Sequence, residues 1–436
     1  LNLILSTALE IRLAALFVLG VCAGGAANLA VYRLAWHPRS ISPWSKPADK
    51  APARRPTDRL PLFGWLGLRR EAAIHGRGFW IRPMLVELFA GVGLAALYWW
   101  EIGQLGLLPP ELPRPATDQW LTLFHAQFAV HAVLVFLMLV ASLIDVDEKI
   151  IPDTITIPGT LLALTMAALY PLTLLPSLLV LPNIQVPLNF WQRVSPDFWP
   201  FLRITEPNPW PEWLGGFPSA WSLVLGLGCW WLWCVALMPR SWYSRHGWGR
   251  AARLMLARLR RAPATWRIGL LGLVGSLAIA AVWSSGGQSW EGLITALVGM
   301  AAAGGLVWLV RVVGTTVLGR EAMGFGDVTL FAMLGAFLGW QACLIIFFLA
   351  PFAGLLVGLA ILILRRESEI PYGPFLCMAA LLVIVRWSYI WEVSAEQVFI
   401  LGLYVPVIIV LCVGLMALML GAWRIIHAAF LHSRRG

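Results

Sequence analysis

Charge is scarce in this chain. Only 12% of its 436 residues are Asp, Glu, Lys or Arg, against 59% apolar, and mean hydropathy is +0.77, which excludes a water-soluble globule. Cysteine is scarce too. The six (Cys22, Cys229, Cys234, Cys343, Cys377, Cys412) all fall in apolar stretches and none forms a C-x-x-C pair, which argues against a disulfide framework or a zinc site. Solenoid repeats and low-complexity tracts are absent. The segment Leu1 to Ala8 has no basic residue and no A-x-A site, so it is not read as a cleavable signal peptide.

What the chain has in abundance is apolar runs of bilayer length. They predict an all-α, polytopic transmembrane bundle of about 11 spans, at 13–33, 84–107, 119–144, 154–180, 219–238, 268–284, 292–312, 328–348, 350–364, 373–390 and 398–422. Lys and Arg set the expected orientation. They crowd into 33–82 and 239–267, the second without any acid, and recur at alternate span ends, which places the N-terminus outside and the C-terminus in the cytoplasm. The net charge of +10 is therefore assigned to membrane topology and to lipid headgroups as partners, not to nucleic acid. The loop 181–218, rich in Pro and Trp and poor in Lys and Arg, is expected outside.

Two acidic motifs break the apolar pattern where spans meet water. Asp145 closes a long apolar run and opens Asp145-Val146-Asp147-Glu148-Lys149-Ile150-Ile151-Pro152-Asp153; Asp327 ends Gly324-Phe325-Gly326-Asp327 and starts the next span. Alone, Asp145 reads as a solvated helix-end carboxylate and Asp327 as a helix N-cap. Taken together, two carboxylates at the membrane edge point to chemistry, because like charges a few ångströms apart cannot both ionise: one keeps its proton as acid while the other activates water. The glycines leave room for the backbone to turn and for another chain to approach. His125 and His131 lie six residues apart, off the spacing of a shared helix face, and read as polar packing partners rather than a metal pair.

Seven blocks, in order, resemble the prepilin leader peptidases of type IV pilus and type II secretion systems, a family of G-x-G-D membrane aspartic proteases. They are Gly24 to Leu34, Leu60 to Leu66, Arg82 to Leu88, the D-x-D-x(4)-P-D segment from Asp145, Gly324 to Asp327, Leu338 to Trp340, and Ile370 to Leu376. The resemblance implies a multi-pass enzyme of the bacterial inner membrane that cuts the leader from prepilins or pseudopilins. It implies Asp145 and Asp327 as the catalytic pair, with Gly324, Gly326, Asp147 and Asp153 supporting. It associates Glu87 and the loop 34–82 with N-methylation of the new terminus, S-adenosylmethionine being the methyl donor. Many relatives carry two C-x-x-C zinc pairs in that loop; here it has no cysteine, so no metal is expected and the second activity stays open. The peptidase itself needs no cofactor.

The expected organisation is 1–118 with the N-terminal spans and the basic loop, 119–180 with the first aspartate, 181–291 as an inserted module, 292–390 with the G-x-G-D spans, and 391–436 with a last span and basic tail. The two aspartates stand 182 residues apart, farther than the family usually shows, and the insertion accounts for the extra length. Two other readings stand beside the peptidase: a transporter using the aspartates as proton or ion relays, and a diverged, non-catalytic assembly protein.

Overall fold

The computed structural model describes residues 7–37, 39, 41–48, 51–108, 118–171, 174–178, 202–203, 210, 214, 219–238, 257, 261–319, 321–365, 371–399, 401–402 and 404–433. It is helical apart from one antiparallel pair, Ser177–Leu178 with Leu202–Arg203. The main helices are α1 (Leu9–Leu34), α2 (Ile81–Tyr98), α3 (Asp118–Glu148), α4 (Asp153–Leu169), α5 (Ala220–Ala236), α6 (Pro263–Ser285), α7 (Gly287–Leu318), α8 (Phe325–Arg365), α9 (Gly373–Val385), α10 (Trp387–Phe399) and α11 (Tyr404–Ser433). Among the described residues, seven are long and apolar enough to cross a membrane; α9 and α10, bent by 87° at Arg386, make an eighth if they form one span. Helices α4 and α5 match two expected spans but have only 17 residues each. Most of the expected outer loop 181–218 and of the basic loop 239–267 lies outside the described residues.

One boundary differs from the sequence reading. Spans were expected at 328–348 and 350–364, yet the chain reverses inside α8 at Gly339 (φ 82°, ψ 168°). The Phe331 and Phe347 rings, which a straight helix would hold about 24 Å apart, have centroids 6.4 Å apart. The apolar run continues through the reversal, so hydropathy cannot mark it; a backbone at positive φ, open to glycine, does.

The two most extensive helix contacts are α7 with α8 and α1 with α2. In the first, a Cβ on Gly299 would come within 2.1 Å of the Gly335 carbonyl, and one on Gly335 within 2.1 Å of the Gly299 carbonyl. Small residues let these helices touch backbone to backbone, the packing that dispersion favours in lipid. Helices α4 and α9 also pack on α8, and α3 joins this core to the α1–α2 pair. Helices α5 and α6 pack on each other and on α7.

Candidate active site

Helix α3 carries Asp145 in its last turn and ends at Glu148, where Lys149 takes a positive φ (57°) and Pro152 follows, a usual way to stop a helix. Helix α8 carries Asp327 as its third residue. Asp327 is thus not the N-cap; its Oδ2 turns back to the preceding turn, 3.5 Å from where a Gly324 Cβ would stand, and the Gly324 N–H faces the carboxylate. The two aspartates are 5% and 8% exposed, near enough for the charge of one to bear on the other.

Ile151 packs against the glycines beside both aspartates, Gly326 and Gly373. A Cβ on Gly326 would lie 2.9 Å from the Ile151 Cβ and 3.1 Å from its carbonyl oxygen, so only glycine lets the G-x-G-D turn lie against the D-x-D segment. On the other side, a Cβ on Gly373 would come 2.6 Å from Asp145 Oδ2 and 2.8 Å from Ile151 Cδ1. That carboxylate oxygen is buried and takes no hydrogen bond from the described residues. Tyr372 stands beside Asp327; burial, and then the charge of that aspartate, push its hydroxyl up to about 12, so it stays a neutral donor. Tyr372 and Gly373 were visible in the sequence only as a family block, and Ile151 carried no signal at all.

The supporting residues separate. Asp147 pairs with Arg82 and, at 4.0 Å, with Arg39, while Glu148 accepts the backbone N–H groups of Trp36 and His37. The end of α3 therefore anchors both ends of the loop 34–82, and Asp147 serves this anchor, not the aspartate pair. Asp153 begins α4 and is exposed.

Glu87 organises a second centre. It is 3% exposed, one oxygen accepts the Leu62 N–H (2.6 Å), and the other accepts the Trp65 indole N–H (2.7 Å) with the Asn28 amide more distant at 3.4 Å. Asn28 also donates to the Pro83 carbonyl, and α1 lies so close to α2 here that a Cβ on Gly24 would stand 2.6 Å from the Glu87 Cα. Leu62 sits in a tight three-residue turn (φ 63°, ψ −60°) closed by Phe63 N–H to Pro61 O, a strained form that the carboxylate holds in place. Both Glu87 oxygens thus accept hydrogen bonds from the loop 34–82, and the carboxylate holds that loop against α2.

His131 pairs with Glu101 at 2.8 Å, and His125 bonds Tyr98, which also accepts Arg12. Among the described residues, no group of three or more His, Cys, Asp or Glu gathers in a metal-binding arrangement.

A helical bundle with the make-up of a multi-pass membrane protein and two buried aspartates at helix ends, near enough for the charge of one to bear on the other, defines the class: a candidate intramembrane aspartic hydrolase. Residues 266–359, which contain the G-x-G-D turn but neither Asp145 nor Glu87, match the type IV leader peptidase family. The prepilin leader peptidase/N-methyltransferase of Aeromonas hydrophila is 30% identical over 158 residues, 32% of this chain and 53% of that protein. Proteins of the same name from Pseudomonas putida (34% over 116 residues, 26% and 39%) and Legionella pneumophila (38% over 77 residues, 16% and 27%) are also similar. The chain spans about half the length, 53%, of the first of these relatives. No solved structure matches. The resemblance read from the motifs is borne out.

Proposed function

We propose that this protein is a membrane aspartic endopeptidase that removes the leader from type IV prepilins or pseudopilins at the cytoplasmic face of the bacterial inner membrane. One observation carries the reading: Asp145 and Asp327, 182 residues apart in the chain, lie within reach of each other's charge in one buried site that Ile151 and Gly373 complete. Two carboxylates so placed share a proton. The ionised one takes a proton from water as its oxygen attacks the scissile carbonyl; the other protonates the leaving nitrogen as the C–N bond breaks. Gly324 and Gly326 give the substrate backbone room, and Tyr372 supplies a neutral donor beside Asp327.

The finer topology belongs to the same proposal: about 11 spans, N-terminus outside, C-terminus inside, and 181–291 as an inserted module that leaves and returns on one side. Membrane lipid and prepilin-like chains are the partners, and nucleic acid is not. The relatives' names add N-methylation, for which S-adenosylmethionine is the donor; Glu87 holds the loop of that part in shape, and no methyl-transfer step is assigned to it.

The test is leader cleavage by the purified protein in detergent. Asp145→Asn and Asp327→Asn should each abolish it with membrane insertion intact, because single members of such a pair are nearly useless alone, whereas Asp153→Asn should keep substantial activity. Cleavage retained by either of the first two variants refutes the pair. Proton or ion flux that needs these aspartates, without cleavage, favours the transporter.

A further inference from the structure

The turn that delivers Asp327 is gripped by a side chain that no motif contains. Arg311, near the end of α7, donates from Nε to the Met323 carbonyl (2.8 Å) and from Nη2 to Glu321 (2.5 Å), and its guanidinium lies 5.8 Å from the centre of the Phe325 ring. The turn folds back on the same helix: the Ala322 N–H bonds the Thr315 hydroxyl (3.2 Å), and a Cβ on Gly314 would meet the Ala322 Cβ at 2.9 Å. Arg424, from α11, bonds the Val317 carbonyl at 2.7 Å and steadies the helix end beneath.

The Met323 carbonyl and the Gly324 N–H belong to one planar peptide unit, so fixing the oxygen fixes the direction of the N–H. That N–H faces the Asp327 carboxylate. Glycine at 324 widens the backbone rotation open to this peptide, and the bond to Arg311 restrains it. We propose that Arg311 is a positioning residue: by holding the Met323–Gly324 peptide it aims the Gly324 N–H at Asp327 and sets that carboxylate's place in the pair. The proposal rests on the reading of Asp327 as half of a catalytic pair.

The test uses full-length Arg311→Gln, Arg311→Lys, Thr315→Ala and Glu321→Ala in detergent, with two readouts: kcat and KM for leader cleavage, and the rate at which a Glu-specific protease cuts after Glu321. Arg311→Gln should lower kcat by about 10- to 100-fold, the scale of a 1 Å misplacement, with KM within about threefold, and should speed cutting of the turn. Arg311→Lys, still a donor to Met323, should recover part of kcat; Glu321→Ala, which removes the protease site and is read by kcat and KM alone, should stay near wild type in both, since Glu321 is 64% exposed and its ion pair is screened. If Arg311→Gln does not fold, an intermediate loss of kcat in Arg311→Lys and Thr315→Ala carries the proposal, and wild-type kcat in both overturns it. A folded Arg311→Gln with kcat within threefold of wild type also overturns it. Should the wild type cut no leader, the aspartate reading fails, and the turn's protection alone judges the clamp: unchanged protection in Arg311→Gln overturns it.

Discussion

Replacing Gly373 by Ala tests whether the site is held where chemistry needs it. Gly373 opens α9 in helical conformation, so alanine fits the backbone and gains a fraction of the roughly 1 kcal/mol that separates the two residues in a helix. The added methyl, however, would stand 2.6 Å from Asp145 Oδ2 and 2.8 Å from Ile151 Cδ1. The isoleucine tip can rotate away. The carboxylate, on a short side chain in a buried site, must retreat by about 0.8 Å to reach ordinary contact at 3.4 Å. Overpacking of this kind costs about 1–3 kcal/mol, which exceeds the helical gain by a small margin relative to a fold of this size, and a shift approaching 1 Å at a reacting group costs about 100-fold in rate. The expected signature is a midpoint of thermal unfolding within a few degrees of wild type and a kcat for leader cleavage lower by about two orders of magnitude. Gly305→Ala is the control, because nothing lies within 4 Å of its added methyl. Cleavage by Gly373→Ala within threefold of wild type refutes the placement of Asp145 at the reacting carbonyl.

Glu87→Gln leaves one of two buried donors, Leu62 N–H or Trp65 Nε1, facing an amide nitrogen, at a cost of about 1–3 kcal/mol; the loop should be digested faster by added protease while leader cleavage persists, and unchanged digestion counts against the Glu87 centre. Asp58 offers a pH test in the same loop. Burial alone would raise its carboxyl, but hydrogen bonds from Arg70 and from the Arg55 N–H, with both charges, outweigh that and hold it below its ordinary 3.8. A depressed folded value contributes stability that is present above the unfolded value and is lost as pH falls through the folded one. The loop should therefore loosen only in acid, below about pH 4, and Asp58→Asn should be loose already at neutral pH; equal acid midpoints in tryptophan fluorescence contradict this. For the topology, a single cysteine at Ser244 should react with a membrane-impermeant reagent only from the cytoplasmic side, and labelling from outside inverts the proposed orientation.

Six of the seven sequence blocks sort in space into two centres, and the seventh, Leu338 to Trp340, forms the reversal in α8. Gly24, Asn28, Leu62, Trp65 and Pro83 converge on Glu87, whereas the D-x-D, G-x-G-D and Tyr-Gly-Pro segments converge on the aspartate pair. The pair between Arg82 and Asp147 ties one to the other across the start of α2 and the end of α3. A change in the loop 34–82 therefore has a short route to the last turn of α3, two residues from Asp145.

Composition alone determined that this is a helical membrane protein, because the cost of exposing backbone and burying charge in lipid leaves long apolar runs no other form. Local pattern was enough to place Asp145 at a helix end and Asp327 at a helix start, since both stand where an apolar run meets turn-forming residues. Only the tertiary structure decided the rest. The reversal at Gly339 interrupts no apolar run, so hydropathy could not see it. Whether Asp147 joins the aspartate pair or turns to Arg82 depends on which face of α3 meets α9 and which meets α2. Ile151 against Gly326, Gly373 against Asp145, and Arg311 on the Met323 carbonyl are contacts between helices, set by close packing at small residues. A one-dimensional pattern records how much each residue is buried, but which partner buries it is fixed only when the helices pack.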